Sequence, residues 1–390
     1  MDITHSAATR KQKAAHKSAT KNGHGWPFAG ASPKLCAMID FALNALDQSA
    51  IVTNTDAAQA VRETVELAEY LDTLGYKRFW LAEHHNTSAF AGAAPEILIG
   101  HIAVHTQHLR VGSGGVMLPH YSPMKVAEQF RMLASLSGGR IDLGLGRAPG
   151  GDQKTAAALQ PGPKAWPPEV FPQQVEMLIQ FLEDANGLSG DEGGFPDAHP
   201  YQGIHAQPMG DESVPVYMLG SGGDGAYHAA QFGLPYVYAH FINPDNLDTA
   251  LDDYRTRFKP SRQCPVPKVM LATSVLAAET QEEAAYLARP RNIWATQLLQ
   301  NKGGRFPSLE EAQDWQLTPQ DEAILPQVET RGFTGQIDDV LQRLNDVVAK
   351  HKIDEVFALT LIPDIAARKR SYKLLAEAAG LAAKGLAAAQ

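Results

Sequence analysis

The feature of this 390-residue chain that most constrains its fold is an alternation of two periods. From Lys34 onward, short apolar runs are followed by longer stretches with helical spacing. The runs KLCAMIDFAL (34–43), KRFWLAE (77–83), RVGSGGVML (110–118), RIDLGLG (140–146), PVYMLGS (215–221), LPYVYAHF (234–241), KVMLATSVLAAE (268–279) and DEVFALTLI (354–362) read as strands. Between them, 56–75, 95–107, 122–139, 225–232, 244–258, 280–300, 335–351 and 364–380 read as helices. In 56–75, Asp56 can cap the start, Val61, Val65, Ala68 and Leu71 recur at intervals of three and four, and Gly75 stops the run. Pro95 suits a first helical turn. Strand–helix alternation predicts a parallel sheet with helical crossovers. Eight such units predict an α/β fold closed as a (β/α)8 TIM barrel, one domain over 34–390, with an open doubly wound sheet as the alternative. Two connections, 148–168 and 301–334, are too long for plain loops and read as lid-like insertions.

Residues 1–33 differ from the rest. They carry Arg10, Lys11, Lys13, Lys17 and Lys21 against Asp2 and have no apolar signal core, so they read as a disordered basic N-terminal extension, with a transit-like segment as the alternative. The net charge of −9 disfavours nucleic acid and anionic membrane as partners. No apolar run approaches the roughly 18–20 residues that span a bilayer. Cys36 and Cys264 stand far apart and suggest neither a disulfide framework nor a metal site, which fits the cytoplasm.

Barrel enzymes work at the C-terminal ends of their strands, so the residues just past each run are the ones to weigh. Glu83, His84 and His85 follow the second strand, and imidazole handles protons near neutral pH. Taken alone, a His pair reads first as one backbone-bonded and one solvated ring. His101, His105 and His108 share one face of the next helix and belong to the barrel exterior, and no metal set emerges. Gly112, Gly114 and Gly115 sit where glycine weakens a strand, which points to a bulge or to room for a flat ligand. Arg147 follows Gly146 at the end of the fourth strand, and Gly220-Ser221-Gly222 join the fifth to a helix. A guanidinium fork and free N–H groups at a helix start together describe a phosphate pocket. Phe90, Tyr121, Trp166 and Phe241 would line an apolar substrate pocket or pack a lid on the barrel.

GYKRFWLAEHHN, RVGSGGVMLPHYSPMKVAEQF, GGRIDLGLGRAPGGD and LPYVYAHF together resemble the bacterial luciferase-like flavin-dependent monooxygenases. The resemblance runs from Lys34 to the C-terminus and is strongest over 74–152. It implies a (β/α)8 barrel, often a homodimer, that uses reduced FMN and O2 on a small organic substrate, with NAD(P)H used directly or through a partner flavin reductase. It implies that His84 acts beside the flavin as acid/base, with Glu83 and His85 holding it. It implies a cis peptide at Gly114-Gly115 against the flavin ring, Gly146 where luciferase has a cysteine, and Arg147 with Gly220, Ser221 and Gly222 at the phosphate. The resemblance implies a loop rich in Ser or Thr where this chain reads SGGDG, and the anion of Asp224 suits a phosphate there only if it points away or caps the helix. A non-catalytic flavin-binding barrel and a deazaflavin-dependent hydride-transfer relative are the competing functions, and a metal-dependent barrel hydrolase is the reading without flavin.

Overall fold

A computed structural model of the chain describes residues 41–147, 151–160, 167–190 and 193–381. The N-terminal extension, Cys36, Trp166 and residues 148–150 and 161–166 of the 148–168 connection lie outside the described residues.

Ten strands form: β1 (Ala42–Asp47), β2 (Arg78–Leu81), β3 (Arg110–Ser113), β4 (Val116–Met117), β5 (Ile141–Gly146), β6 (Val216–Gly220), β7 (Tyr236–Ala239), β8 (Val269–Ala278), β9 (Phe333–Gln336) and β10 (Glu355–Leu359). All pair in parallel, in the order β1-β2-β3-β5-β6-β7-β8-β10. Pairing of Leu43 with Val356 returns β10 to β1 and closes the ring. β4 continues the third position beside β5, and β9 extends β8 beyond the ring. This is the expected eight-stranded barrel with helices outside.

The first strand starts later than 34–43 suggests. Only Ala42 and Leu43 of that run lie in it, and the strand continues through Asn44 and Asp47. Those polar residues mask the strand in the sequence because they face partners inside the protein: Asn44 donates to Glu355 at 2.9 Å, and Asp47 accepts from Thr64 at 2.8 Å. The third run breaks into β3 and β4 at Gly114-Gly115, whose peptide is cis as the resemblance implies. Helix Phe171–Ala185 is an element the sequence reading missed, as are Gln153–Leu159, Leu309–Asp314 and Pro319–Glu329 inside the two long connections. Capping boxes at Ser308/Glu311 and Thr318/Asp321 mark two of these starts and were legible. The 301–334 segment is therefore folded against the barrel: Phe306 is buried and stacks on Trp294 at 4.3 Å.

The barrel interior is polar at the bottom and apolar above. Arg78, Arg110 and Glu355 open their strands, and Asp142 is second in β5, so all four meet at the N-terminal end. Arg78 binds Asp142 through Nη1 and Glu355 through Nε at 2.9 Å. Arg110 also reaches Asp142, at 2.8 and 2.9 Å, and Lys77 pairs with Glu355. Trp80 lies above, donating to Asp142 at 3.1 Å and tilted on Phe357 at 4.3 Å. Gly112 is needed for this packing and not for a ligand. A Cβ there would sit 2.8 Å from Trp80 Nε1 and 2.6 Å from the Asp142 carbonyl oxygen.

Burial alone would raise the pKa of Glu355, but Arg78 beside it, helped by hydrogen bonds from Lys77 and Asn44, holds it below the ordinary carboxylate value. A depressed carboxylate stabilises the fold above its unfolded pKa, and that contribution is lost as pH falls through the folded value. Glu355→Gln should therefore cost about 3–5 kcal/mol in urea unfolding at neutral pH, because it leaves Arg78 half-compensated. The gap to wild type should narrow as pH drops below about 4.5; a pH-independent gap would refute the charge assignment.

Candidate active site

A cavity of about 510 Å³ opens at the C-terminal ends of the strands. Leu46 of β1, Leu219 of β6, Val237 of β7 and Ala272 of β8 give it an apolar floor. Of the expected catalytic and cofactor residues, Glu83, His84, Gly114, Gly115, Gly146, Arg147, Gly220, Ser221 and Gly222 line it. His85 faces a neighbouring cavity.

The EHH turn separates its three members. Glu83 is 1% exposed and is fully engaged: it accepts from His85 Nε2 at 2.7 Å, the Tyr121 hydroxyl at 2.7 Å and the Met117 N–H at 3.0 Å. Burial, and then the Glu83 charge, push the Tyr121 hydroxyl well above its ordinary pKa, so it remains a donor. Glu83 and His85 therefore do not hold His84, contrary to expectation. They tie the end of β2 to β4 and to Tyr121, and Tyr121 is a polar anchor instead of an apolar wall. The reason is the pairing itself: the Glu83 carboxylate is taken by His85, Tyr121 and the Met117 N–H.

His84 stacks on Phe90 at 4.5 Å with planes 28° apart, and its buried Nδ1 has no hydrogen-bond partner among the described residues. Burial first, and then His85, lower its pKa to about 4, so the ring is neutral at physiological pH. It lines both cavities.

The glycines divide by cause. A Cβ on Gly114 would meet Leu46 Cδ1 at 2.7 Å, and one on Gly115 the Gly144 carbonyl oxygen at 2.8 Å, so this wall of the cavity must be bare backbone. At Gly223 a Cβ would meet nothing, leaving open space at a helix start. That helix, Gly223–Gln231, has Gly222 at its N-cap and no side-chain cap. The loop carbonyls are instead drawn to the scaffold: Tyr236 donates to Gly222 O at 3.1 Å, and Tyr238 and Asn243 donate to Ser221 O at 3.3 and 3.2 Å. The uncapped N–H groups are left for an anion. Arg147 stands beside them, with its Nη2 2.7 Å from Asp224 Oδ2 and the two side chains 43% and 69% exposed. Asp224 thus neither points away nor caps the helix but pairs with the arginine. The bare wall, the apolar floor, the uncapped helix start and Arg147 fit a flat phosphorylated ring such as FMN. Its phosphate would share or displace the Asp224 contact.

Sequence reasoning missed Gln48, Arg291, Trp294 and Arg331, which line the neighbouring cavity. The mid-helix string RPRNIW was the available signal, because a proline is unusual inside a helix. Phe90 and Phe241 line this cavity, and Phe90 also packs against Trp294 and Phe306. His101 and His105 are exposed neighbours on the outer helix. Among the described residues no cluster of three His, Cys, Asp or Glu stands together to hold a metal.

A group whose folded pKa is lowered binds its proton less readily than the unfolded chain does, so stability present above pH 6.5 is lost as pH falls toward about 4. Comparing urea unfolding of wild type and His84→Gln across that window should show wild type losing stability that the variant keeps. Parallel pH profiles would show that His84 is not held neutral.

The sequence pattern of the family described as luciferase-like monooxygenase matches residues 40–348. The chain is 36% identical over 344 residues to the N-acetyl-S-alkylcysteine monooxygenase of Bacillus subtilis (strain 168), covering 88% of this chain and 99% of that protein. Among solved structures it is similar to apo-MsnO8, with a TM-score of 0.78 at 33% identity over 88% of this chain and 100% of that one. In fold alone it matches the oxygenating constituent of a 3,6-diketocamphane monooxygenase from Pseudomonas putida, solved in complex with FMN, with a TM-score of 0.62 at 16% identity over 87% and 98% of the two chains.

Proposed function

We propose a specific function from the premise that this chain belongs to the luciferase-like monooxygenases and is a flavin-dependent monooxygenase. The specific reading is that it uses reduced FMN to place one oxygen atom of O2 in a small organic substrate. When bound, reduced FMN supplies the two electrons that activate O2, one oxygen atom going to substrate and the other to water. The observation that carries the reading is one cavity with a phosphate cradle on one wall and the unpartnered Nδ1 of His84 on another.

The chain's own residues then have distinct tasks. Arg147 and the N–H groups from Ser221 to Asp224 bind the phosphate. The backbone of Gly114-Gly115 meets the ring, and Leu46, Leu219, Val237 and Ala272 exclude water beneath it. His84, neutral at working pH, accepts or returns a proton at Nδ1 during turnover. Glu83, through His85, Tyr121 and the Met117 N–H, positions that rim. Reducing equivalents come from NAD(P)H, directly or through a separate flavin reductase, and the cytoplasm is the compartment that supplies them. A second copy of the chain covers the exposed side chains of Ile97, Val104 and Leu136 (73%, 79% and 76% exposed) on two neighbouring outer helices, giving a homodimer.

Flavin-fluorescence titration tests the phosphate assignment. Arg147→Met should weaken FMN about 10–100-fold while riboflavin changes little, the loss expected for one charge-assisted contact. Asp224→Asn should tighten FMN several-fold, because the phosphate no longer competes for Arg147. Equal effects on FMN and riboflavin would rule out the cradle.

Turnover is the second test. His84→Ala should still bind FMN but lose about 10²–10⁴-fold in substrate-dependent oxygen consumption. Undiminished turnover would remove the proton role, and no oxygen consumption by wild type with any tested substrate would favour a non-catalytic flavin carrier.

A further inference from the structure

A second cavity of about 890 Å³ adjoins the first and shares Gln48, His84, Phe241 and Ile242 with it. Its wall is largely apolar. His84 stacks on Phe90, and Phe90 meets Trp294 edge-on at 5.6 Å. Trp294 lies on helix Gln281–Leu299, three residues after Arg291, which places the two on one face about one turn apart. Arg291 and Arg331 also line this cavity.

Two cations in an apolar wall need a counter-ion, and among the described residues neither guanidinium has one. Arg291 Nη1 donates to the Val328 carbonyl at 3.1 Å and to Asn292 Oδ1 at 3.0 Å, and its Nη2 donates to the Arg331 carbonyl at 2.9 Å. These acceptors are neutral and fix the fork in place without cancelling its charge. Burial, and then the Arg331 charge, lower the Arg291 pKa to about 10, with no carboxylate acting in the opposite direction. The contrast with the barrel bottom is direct: there Arg78 and Arg110 each meet an acid.

We infer that this second cavity is the substrate site and that it takes a small amphipathic carboxylate, its apolar body against Phe90, Trp294 and Leu361 and its carboxylate on Arg291 and Arg331. The inference rests on the flavin monooxygenase reading for the word substrate, but the anion preference stands on the cavity itself. The Nε–H and the second Nη2–H of Arg291 have no acceptor among the described residues; that edge of the guanidinium matches a carboxylate in two parallel hydrogen bonds, and its pre-fixed geometry lowers the ordering cost of binding. The apolar chain from Trp294 through Phe90 leads back to His84, so the body of such a molecule extends toward the flavin cavity while its charge stays remote. The cavity therefore selects by an ion at one end and acts on the apolar part.

The test is calorimetric titration of the full chain, saturated with FMN, using phenylbutyrate and its neutral primary amide as probes. Phenylbutyrate should bind at least about tenfold tighter than the amide, the margin of one charge-assisted pair. Arg291→Met should abolish that preference while leaving the Kd for the amide and for FMN unchanged. Arg331→Met is the second variant should the first fail to fold, and it should reduce the preference. Equal binding of acid and amide to wild type, no binding of the acid, or a preference that survives both substitutions would overturn the inference. Failure of FMN to saturate the protein overturns the flavin reading separately, and the acid–amide comparison is then made on flavin-free protein with the same criteria.

Discussion

Closure of the barrel depends on the charges at its bottom. Arg78 of β2 joins Asp142 of β5 to Glu355 of β10, and Arg110 of β3 shares Asp142. Four of the eight ring strands are thereby tied at one level by groups that could not be buried singly. Removing one acid strands a cation, so the cluster behaves as a unit. It also fills the barrel floor with polar atoms, which lets Trp80, Tyr217 and Phe357 form the apolar layer above it. That layer is the platform on which the cavity rests.

The top of the barrel repeats the device on a smaller scale. Glu83 gathers His85, Tyr121 and the Met117 N–H, joining the end of β2 to the broken third strand. With those groups satisfied, His84 is left beside Phe90 with a buried nitrogen that no described residue uses. A fully paired network next to an unpaired nitrogen is the arrangement expected where a protein positions a reacting group and leaves it available. Arg147 and Asp224 differ in kind: theirs is an exposed pair that an incoming phosphate can rearrange at small cost.

Much of the fold was legible because its signals are local. Seven of the eight ring strands fall inside the apolar runs, and helix Ala57–Leu74 is bounded by the cap and glycine its sequence carries. The exceptions share a cause. β1 was displaced because Asn44 and Asp47 look like a strand end until their partners, Glu355 and Thr64, are known. Tyr121 read as an apolar wall because nothing near it in sequence reveals Glu83 beneath its hydroxyl. Gly112 read as a bulge or as ligand space because the demand for a missing Cβ comes from Trp80 and Asp142 on other strands.

The sequence by itself determined the alternation, and with it the barrel and the rim positions where Glu83, His84, Gly114, Gly115, Arg147 and Ser221 stand. Those features depend on spacings of two and of three to four residues, which one segment carries alone. Only the tertiary structure decided which groups pair. Among the described residues, Glu83 took His85 and left His84 Nδ1 without a partner, Asp224 took Arg147, and Arg291 was brought to a cavity wall with no acid beside it. Arg78 and Glu355, 277 residues apart, make the reason plain: a charge finds its partner through the closed ring, and no local period records where the ring will close.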